Sequence, residues 1–167
     1  MSAASRVWKL PADVDTDQLA PGSTMKHGIE VTARHCLQAL REDFAGGVAR
    51  GDIIVAGPRF GIGSSREQAA SVLVHLGVAA VVAPSFNGLY FRNAFNVGLL
   101  LLRCPRATEI ADGEPVQVDA RGGFVTRADG TRLPCEPTPG FLLDMVEAGG
   151  LLPQLKKRLA RTEEPTP

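Results

Sequence analysis

The sequence predicts a single α/β domain whose sheet is largely parallel and covered by helices. Three apolar runs, at residues 52–57, 78–84 and 97–103, have the length and composition of buried strands. Helix-like segments at 66–77 and 88–96 separate these runs. Buried strands that alternate with helices are typical of a parallel sheet. A length of 167 residues suits one such domain.

The elements before this framework follow in chain order. Residues 6–10 predict a short strand, and residues 11–22 predict a structured loop because they are rich in Pro, Asp and Gly. The segment 29–42 has a helical pattern, which Gly46 and Gly47 would end.

The elements after Cys104 have a different pattern. The segments PVQVDA, GFVTRA and TRLPCEP alternate and turn, which predicts a small antiparallel section. A last helix is expected over 139–160. The domain therefore spans 1–160, and the polar segment 161–167 is expected to be a disordered tail.

Charge and composition limit the function classes. The chain has 18 basic and 18 acidic residues, so its overall charge predicts neither a nucleic acid nor a membrane partner. It has no long apolar run, and we expect a cytoplasmic protein. Its three cysteines, Cys36, Cys104 and Cys135, have no metal-binding spacing, so no metal site of its own is expected.

The segment GPRFGIGSSREQA, residues 57–69, is called the serine loop below. Its glycines allow a sharp turn between a strand and a helix, where Ser64 would meet the positive end of the helix dipole. Arg66 would add a planar fork suited to a carboxylate. The pattern predicts an anion site that contains a hydroxyl. The alternative is that Ser64 or Ser65 only caps the helix and Arg66 pairs with Glu67 or with solvent.

Three motifs in the same order resemble the small subunits of 3-isopropylmalate dehydratase, the swivelling domain of the aconitase family. The serine loop resembles the family's signature. The segment DVDTDQLAPG, residues 13–22 and called the aspartate loop below, resembles its Asp-x-x-Thr-Asp loop. The segment APSFNGLYFRNAFNVGLL, at 83–100 and called the third motif below, resembles its Ser-Phe, Arg-Asn-Ala and Asn-x-Gly run. The resemblance covers roughly residues 6–160.

This resemblance implies a fold, a reaction and a partner. The fold would be a three-layer β/β/α swivelling domain. The reaction would be the stereospecific removal and re-addition of water on a hydroxy di- or tricarboxylate, here the isomerisation of 2- and 3-isopropylmalate in leucine biosynthesis. The [4Fe–4S] cluster would belong to a separate large subunit, and this chain would bind no cofactor.

The resemblance also implies roles for residues of both loops. Ser64 matches the catalytic base, and Asp17 matches an acidic residue of the active site. Ser65 and Arg66 match residues that hold a substrate carboxylate, although either could serve the helix start instead. Arg92, Asn93 and Asn96 could face the site, but a buried Asn could equally satisfy loop backbone; these three stay open.

The sequence departs from its relatives after the aspartate loop. Relatives that process isopropylmalate commonly carry Tyr-Leu-Arg-Thr where this chain has Thr24, Met25, Lys26 and His27. Thr24, Met25 and Lys26 are therefore candidate substrate-binding residues for a different substituent. The alternative is that this segment only docks the large subunit.

Two other functions stay open. One is a related dehydratase that acts on homocitrate, dimethylmalate or another substituted malate. The other is a carboxylate-sensing or regulatory module without catalysis, which the presence of Ser64 disfavours because carboxylate binding needs only Arg66 and backbone donors.

Overall fold

The computed structural model describes residues 3–162. Its sheet has seven strands in the order β4-β3-β2-β1-β5-β6-β7. The first four strands are parallel and confirm the predicted framework: β1 (Ser5–Lys9), β2 (Ile53–Val55), β3 (Ala80–Ala83) and β4 (Leu100–Arg103). The antiparallel section is also confirmed, and consists of β5 (Pro115–Asp119), β6 (Phe124–Thr126) and β7 (Arg132–Pro134).

The helices follow the order of the sequence: α1 (Thr16–Leu19), α2 (Ile29–Arg34), α3 (Phe44–Gly47), α4 (Gln68–His75), α5 (Gly88–Asn96), α6 (Gly140–Ala148) and α7 (Leu151–Thr162). Short 3-10 helices occupy Met25–His27 and Ala107–Glu109. None of the helices in residues 3–162 is long and apolar enough to cross a membrane.

Two hydrophobic cores on opposite faces of the parallel strands give the three layers. Ile54 and Val81 point into the larger core, which the helices cover. Their neighbours Val55 and Val82 point into the smaller core, because successive side chains of a strand face opposite sides. Val125 and other residues of the curled antiparallel section cover that second face. The β/β/α arrangement that the resemblance implied is therefore present.

Two predicted helices differ from the structure. The helix expected over 29–42 ends at Arg34, because Leu37 adopts a positive φ of 58° and its N–H bonds to the Gln18 carbonyl instead of continuing the helix. The helix expected over 139–160 is two helices, separated at Gly149 and Gly150, whose φ angles are 88° and 120°.

The boundary of the expected tail falls inside α7. This helix includes residues 161 and 162, the first two residues of the segment 161–167. The rest of that segment lies outside the described residues.

Candidate active site

The aspartate loop and the serine loop lie side by side at the carboxyl end of the parallel strands. The Gly61 N–H donates to the Val14 carbonyl at 2.8 Å, and the Thr16 N–H donates to the Ile62 carbonyl at 2.8 Å. These two hydrogen bonds lie at a short parallel bridge between Asp15 and Ile62. Two segments far apart in sequence are thereby held as one unit, and the predicted site residues of both loops come together.

Two glycines let the serine loop approach its neighbours closely. Gly61 has a φ of +85°, and a Cβ added there would lie 2.2 Å from Cγ of the buried Tyr90 ring. Gly63 has a φ of +102°, and a Cβ there would lie 2.8 Å from the Asp15 carboxylate and 2.9 Å from the Thr16 hydroxyl. Any larger residue would push the loop away from α5 or from the aspartate loop.

Ser64 lies in the irregular segment before α4 and is exposed. The helix begins only at Gln68, and its N-cap residue Glu67 makes no side-chain capping hydrogen bond. Ser64 therefore does not cap the helix, and lies just before it, three residues ahead of the N-cap residue Glu67. Its N–H donates to the Thr16 hydroxyl at 3.0 Å, and its own Oγ lies 3.3 Å from Thr16 Oγ1.

Arg66 pairs across the two loops rather than with Glu67. Its Nη1 donates to Asp17 Oδ1 at 3.1 Å and to the Ala20 carbonyl at 3.0 Å. The same Asp17 oxygen accepts the Gly22 N–H at 3.0 Å. These bonds, first from Gly22 and then from Arg66, lower the pKa of Asp17, so this carboxylate is ionised at neutral pH.

Ser65 and the third motif meet through one hydrogen bond. Asn93 on α5 donates from Nδ2 to the Ser65 carbonyl at 2.9 Å. Asn93 therefore satisfies a backbone carbonyl of the serine loop, which is one of the two roles left open for it. Ser65, Arg92 and Asn96 are exposed.

Thr24 and His27 line an open groove of about 660 Å³ beside Asp17. Thr24 lines this groove, and its hydroxyl donates to the Pro21 carbonyl at 2.7 Å. Met25 and Lys26 lie on the 3-10 helix that follows, where Lys26 is exposed and Met25 half-buried. The structure thus brings Asp17 and Thr24 to the same groove, whereas Met25 and Lys26 are not among the residues that line it.

The three cysteines lie away from these loops. Cys36 is buried in the larger core, and burial raises the pKa of its thiol. Cys104 and Cys135 belong to the smaller core on the opposite face of the sheet. Within residues 3–162, no group of three or more His, Cys, Asp or Glu side chains is placed to hold a metal ion.

Thr16 is the residue of this site that sequence reasoning missed. Its side chain is buried, with 1% exposure, and is the closest polar contact of Ser64. The signal was present in the Asp-x-x-Thr-Asp motif. Residue type alone does not assign Thr16 to the site, because a threonine at a helix start usually serves only local structure.

Comparison with known proteins identifies the relatives of this chain. The Aconitase C-terminal domain family matches residues 42–107. The 3-isopropylmalate dehydratase small subunit 1 of Thermotoga maritima is 40% identical over 91% of this chain and 93% of its own. The methanogen homoaconitase small subunit of Methanothermobacter thermautotrophicus is 39% identical over 88% of this chain and 86% of its own.

A solved structure extends the comparison to the fold. The crystal structure of 3-isopropylmalate dehydratase from Methanocaldococcus jannaschii superposes with a TM-score of 0.89 at 37% identity, over 97% of this chain and 98% of the other. The three layers and the paired loops thus define a swivelling domain of the aconitase type. More narrowly, the chain belongs to the family of 3-isopropylmalate dehydratase small subunits.

Proposed function

We propose that this chain is the small subunit of a heteromeric hydro-lyase that interconverts 2- and 3-isopropylmalate by dehydration and rehydration. The observation that carries the proposal is the pairing of the two loops. Across 46 to 49 residues of sequence, Ser64 contacts Thr16, and Arg66 bonds to the Asp17 carboxylate and the Ala20 carbonyl. Relatives at about 40% identity bear the corresponding name.

In the proposed reaction Ser64 is the base. As an alkoxide, its Oγ takes a proton from the carbon next to the hydroxyl-bearing carbon. The electrons of the broken C–H bond form the double bond as the hydroxyl departs, and the reverse steps restore water at the other carbon. An unperturbed serine hydroxyl is too weak an acid for this role, so its oxygen needs nearby hydrogen-bond donors and positive charge.

Arg66 is proposed to hold a substrate carboxylate. Nη1 makes both bonds that Arg66 has to the described residues, one to Asp17 and one to the Ala20 carbonyl. The other edge of the guanidinium, with Nε and Nη2, is proposed to bind the substrate carboxylate through two hydrogen bonds. Asp17, ionised and bonded to the Gly22 N–H, orients this fork and is the second proposed catalytic group. Ser65 is proposed to add a hydroxyl to the carboxylate.

The iron–sulfur cluster is proposed to lie in the large subunit. The cysteines of this chain do not fit a cluster, because Cys36 is on one face of the sheet and Cys104 and Cys135 are on the other. The cluster would supply the Lewis acid that polarises the departing hydroxyl. The exposed serine loop would face that subunit, so that the active site is completed between the two chains.

A second candidate is a dehydratase for another substituted malate or for homocitrate. One observation favours it: the methanogen homoaconitase small subunit is 39% identical over 88% of this chain. Thr24, Met25 and Lys26 are the proposed contacts with the variable substituent.

The experiment is reconstitution. The chain is expressed with the large subunit encoded in the same genome, and the complex is assayed with 3-isopropylmalate, homocitrate, dimethylmalate and citrate. We expect turnover by the complex, with isopropylmalate preferred, and none by either subunit alone. Preference for homocitrate would select the second candidate, and a stable complex that turns over no hydroxy acid would contradict both enzymes and favour a regulatory module.

A further inference from the structure

We infer that Cys104 and Cys135 form a redox-active dithiol, which a low-molecular-weight disulfide oxidises to an intramolecular disulfide bond. Cys104 directly follows β4 and Cys135 directly follows β7, so the bond would fasten the ends of these two strands to each other. The inference concerns the smaller core, on the face of the sheet away from the larger core. It does not depend on the proposed function.

The curl of the sheet brings the two cysteines together. β4 and β7 stand at opposite ends of the strand order, yet the Glu136 N–H donates to the Arg103 carbonyl at 2.9 Å. This bond joins the residue after Cys135 to the residue before Cys104. In addition, Cys104 Sγ lies 3.8 Å from the carbonyl oxygen of Pro134, the residue before Cys135. Both cysteine side chains belong to the smaller core, on the same face of the sheet.

A hydrogen bond links the two thiols. It lowers the pKa of Cys104 to about 7, although burial acts in the opposite direction. The same bond, together with burial, raises the pKa of Cys135. The backbones of both residues are held, because the Cys104 N–H donates to the Ala83 carbonyl at 2.9 Å and the Cys135 N–H to the Gly123 carbonyl at 2.8 Å. We therefore expect the S–S bond to close by rotation of the side chains, with little movement of the backbone.

The exposure of the two thiols assigns their roles in the oxidation. Cys135 is half-buried and lies between exposed residues, whereas Cys104 is 0% exposed. Cys135, as the thiolate, attacks one sulfur of the reagent; the S–S bond of the reagent breaks, and the departing sulfur takes up the proton that Cys135 lost. The Cys104 thiolate, favoured by its lowered pKa, then attacks the Cys135 sulfur of this mixed disulfide.

The two steps balance as one exchange. In the second step the S–S bond between Cys135 and the reagent breaks, and the second reagent thiol departs with the proton of Cys104. Two protein thiols are oxidised to one disulfide, and one reagent disulfide is reduced to two thiols. The closed loop contains β5, β6 and β7, which are the strands that cover the smaller core. Oxidation would therefore brace this antiparallel section against the parallel strands.

The first test counts thiols in the full chain, which has three cysteines. The chain is equilibrated in buffers with a rising ratio of oxidised to reduced glutathione, quenched with acid, unfolded and alkylated for mass spectrometry. We expect two thiols to disappear together, with the loss of two hydrogen atoms and no bound glutathione, and peptide mapping to join Cys104 to Cys135. Three free thiols at every ratio, or glutathione on Cys135 without the cross-link, would overturn the inference.

The second test measures the brace by urea unfolding of the oxidised and the reduced chain. A cross-link that closes a loop of about 30 residues should raise the urea midpoint by about 1–2 M. Cys135→Ser should have the same midpoint in both buffers. The matched control is Cys36→Ala, which removes the third thiol, buried in the larger core, and should keep the full shift.

The outcomes of the two tests separate the bond from its effect. A shift of the midpoint that persists in Cys135→Ser, or one that is lost in Cys36→Ala, would show that another reaction is responsible and would overturn the inference. A cross-link that forms without raising the midpoint would overturn the brace. If Cys135→Ser does not fold, the thiol count and peptide map of the wild-type chain still decide whether Cys104 and Cys135 form the bond.

Discussion

Substitution of Gly61 by alanine tests how the serine loop is held. Gly61 has a φ of +85°, and a methyl group there would meet Cγ, Cβ and Cδ1 of Tyr90 at 2.2, 2.5 and 2.6 Å. Tyr90 cannot move away easily. Its ring is 2% exposed and packs edge-on against Phe60 with the ring centroids 5.4 Å apart, and its hydroxyl donates to the Ala69 carbonyl at 3.1 Å. Gly61→Ala must therefore displace the loop, the ring or both.

The expected loss of unfolding free energy in Gly61→Ala has two parts. A left-handed backbone costs a non-glycine residue about 1–2 kcal/mol. Overpacking a well-packed core costs about 1–3 kcal/mol more. We expect Gly61→Ala to lower the free energy of unfolding by about 2–5 kcal/mol in total. Gly130 is the matched control, because it has the same φ of +85° with nothing within 4 Å of its added Cβ. Gly130→Ala should cost only the backbone part, about 1–2 kcal/mol.

The assay is urea unfolding of the isolated chain at neutral pH, followed by tryptophan fluorescence, with the wild type and both variants in parallel. The difference between the two variants measures the contact of the loop with Tyr90. Equal losses of unfolding free energy in Gly61→Ala and Gly130→Ala would refute the reasoning, because the close contact of the loop with Tyr90 on α5 would then contribute nothing to stability. In the reconstituted complex, Gly61→Ala should also lose activity, since the displaced loop carries Ser64.

Three further predictions concern charge and specificity. Arg66→Lys should raise KM by about 10-fold or more in steady-state assays, because a point charge replaces the fork and one of its two bonds is lost. Replacing Thr24–His27 by Tyr-Leu-Arg-Thr should change the ratio of kcat/KM between isopropylmalate and more polar malates by about 10- to 200-fold; an equal change for every acid would indicate a docking segment. Asp52 is buried and accepts bonds from Arg6 at 2.8 Å and from the Trp8 indole at 2.9 Å. Asp52→Ala should lower the free energy of unfolding by about 2 kcal/mol in urea titrations at neutral pH.

The pH dependence of the Asp52 effect has a definite sign. Burial raises the pKa of this carboxyl, but the bonds from the Ala49 N–H, Trp8 and Arg6 outweigh burial and leave the pKa below 3.8. A lowered pKa means that the stabilisation is fully present above 3.8 and is lost as the pH falls through the folded-state value. The difference between the wild type and Asp52→Ala should therefore be constant above about pH 5 and shrink towards pH 3. A difference that grows on acidification would contradict this assignment.

The parts of the fold that the sequence predicts are those set by periodicity and turn residues. The apolar runs of β2, β3 and β4 are wholly or largely buried, so their composition alone indicates strands of a helix-covered parallel sheet. Helix α5 has the predicted bounds, because Asn87 caps its start. The helix expected over 29–42 does not continue through Leu37, whose N–H donates to the Gln18 carbonyl. This contact is between distant segments, so no local sequence pattern predicts it.

The candidate site, like the fold, could be predicted from the sequence only in part. The sequence identifies Ser64, Arg66 and Asp17 by residue type and motif, and the structure brings them into one place. The sequence could not predict that Arg66 pairs with Asp17 or that Thr16 contacts Ser64. Both contacts depend on the register between two loops more than 45 residues apart in sequence. The helix expected over 66–77 begins two residues later, at Gln68, because residues 64–66 have no regular structure.

The central claim is that this chain supplies the base of a dehydratase completed by a large subunit. The most direct test is kcat for Ser64→Ala and the wild type on the same large subunit, with assembly checked by size-exclusion chromatography and substrate affinity by KM. The account predicts a complex that assembles normally and binds substrate nearly as well, with kcat lower by about 10⁴-fold or more, because the lost interaction belongs to the transition state. A Ser64→Ala complex that keeps near-normal kcat would contradict the account.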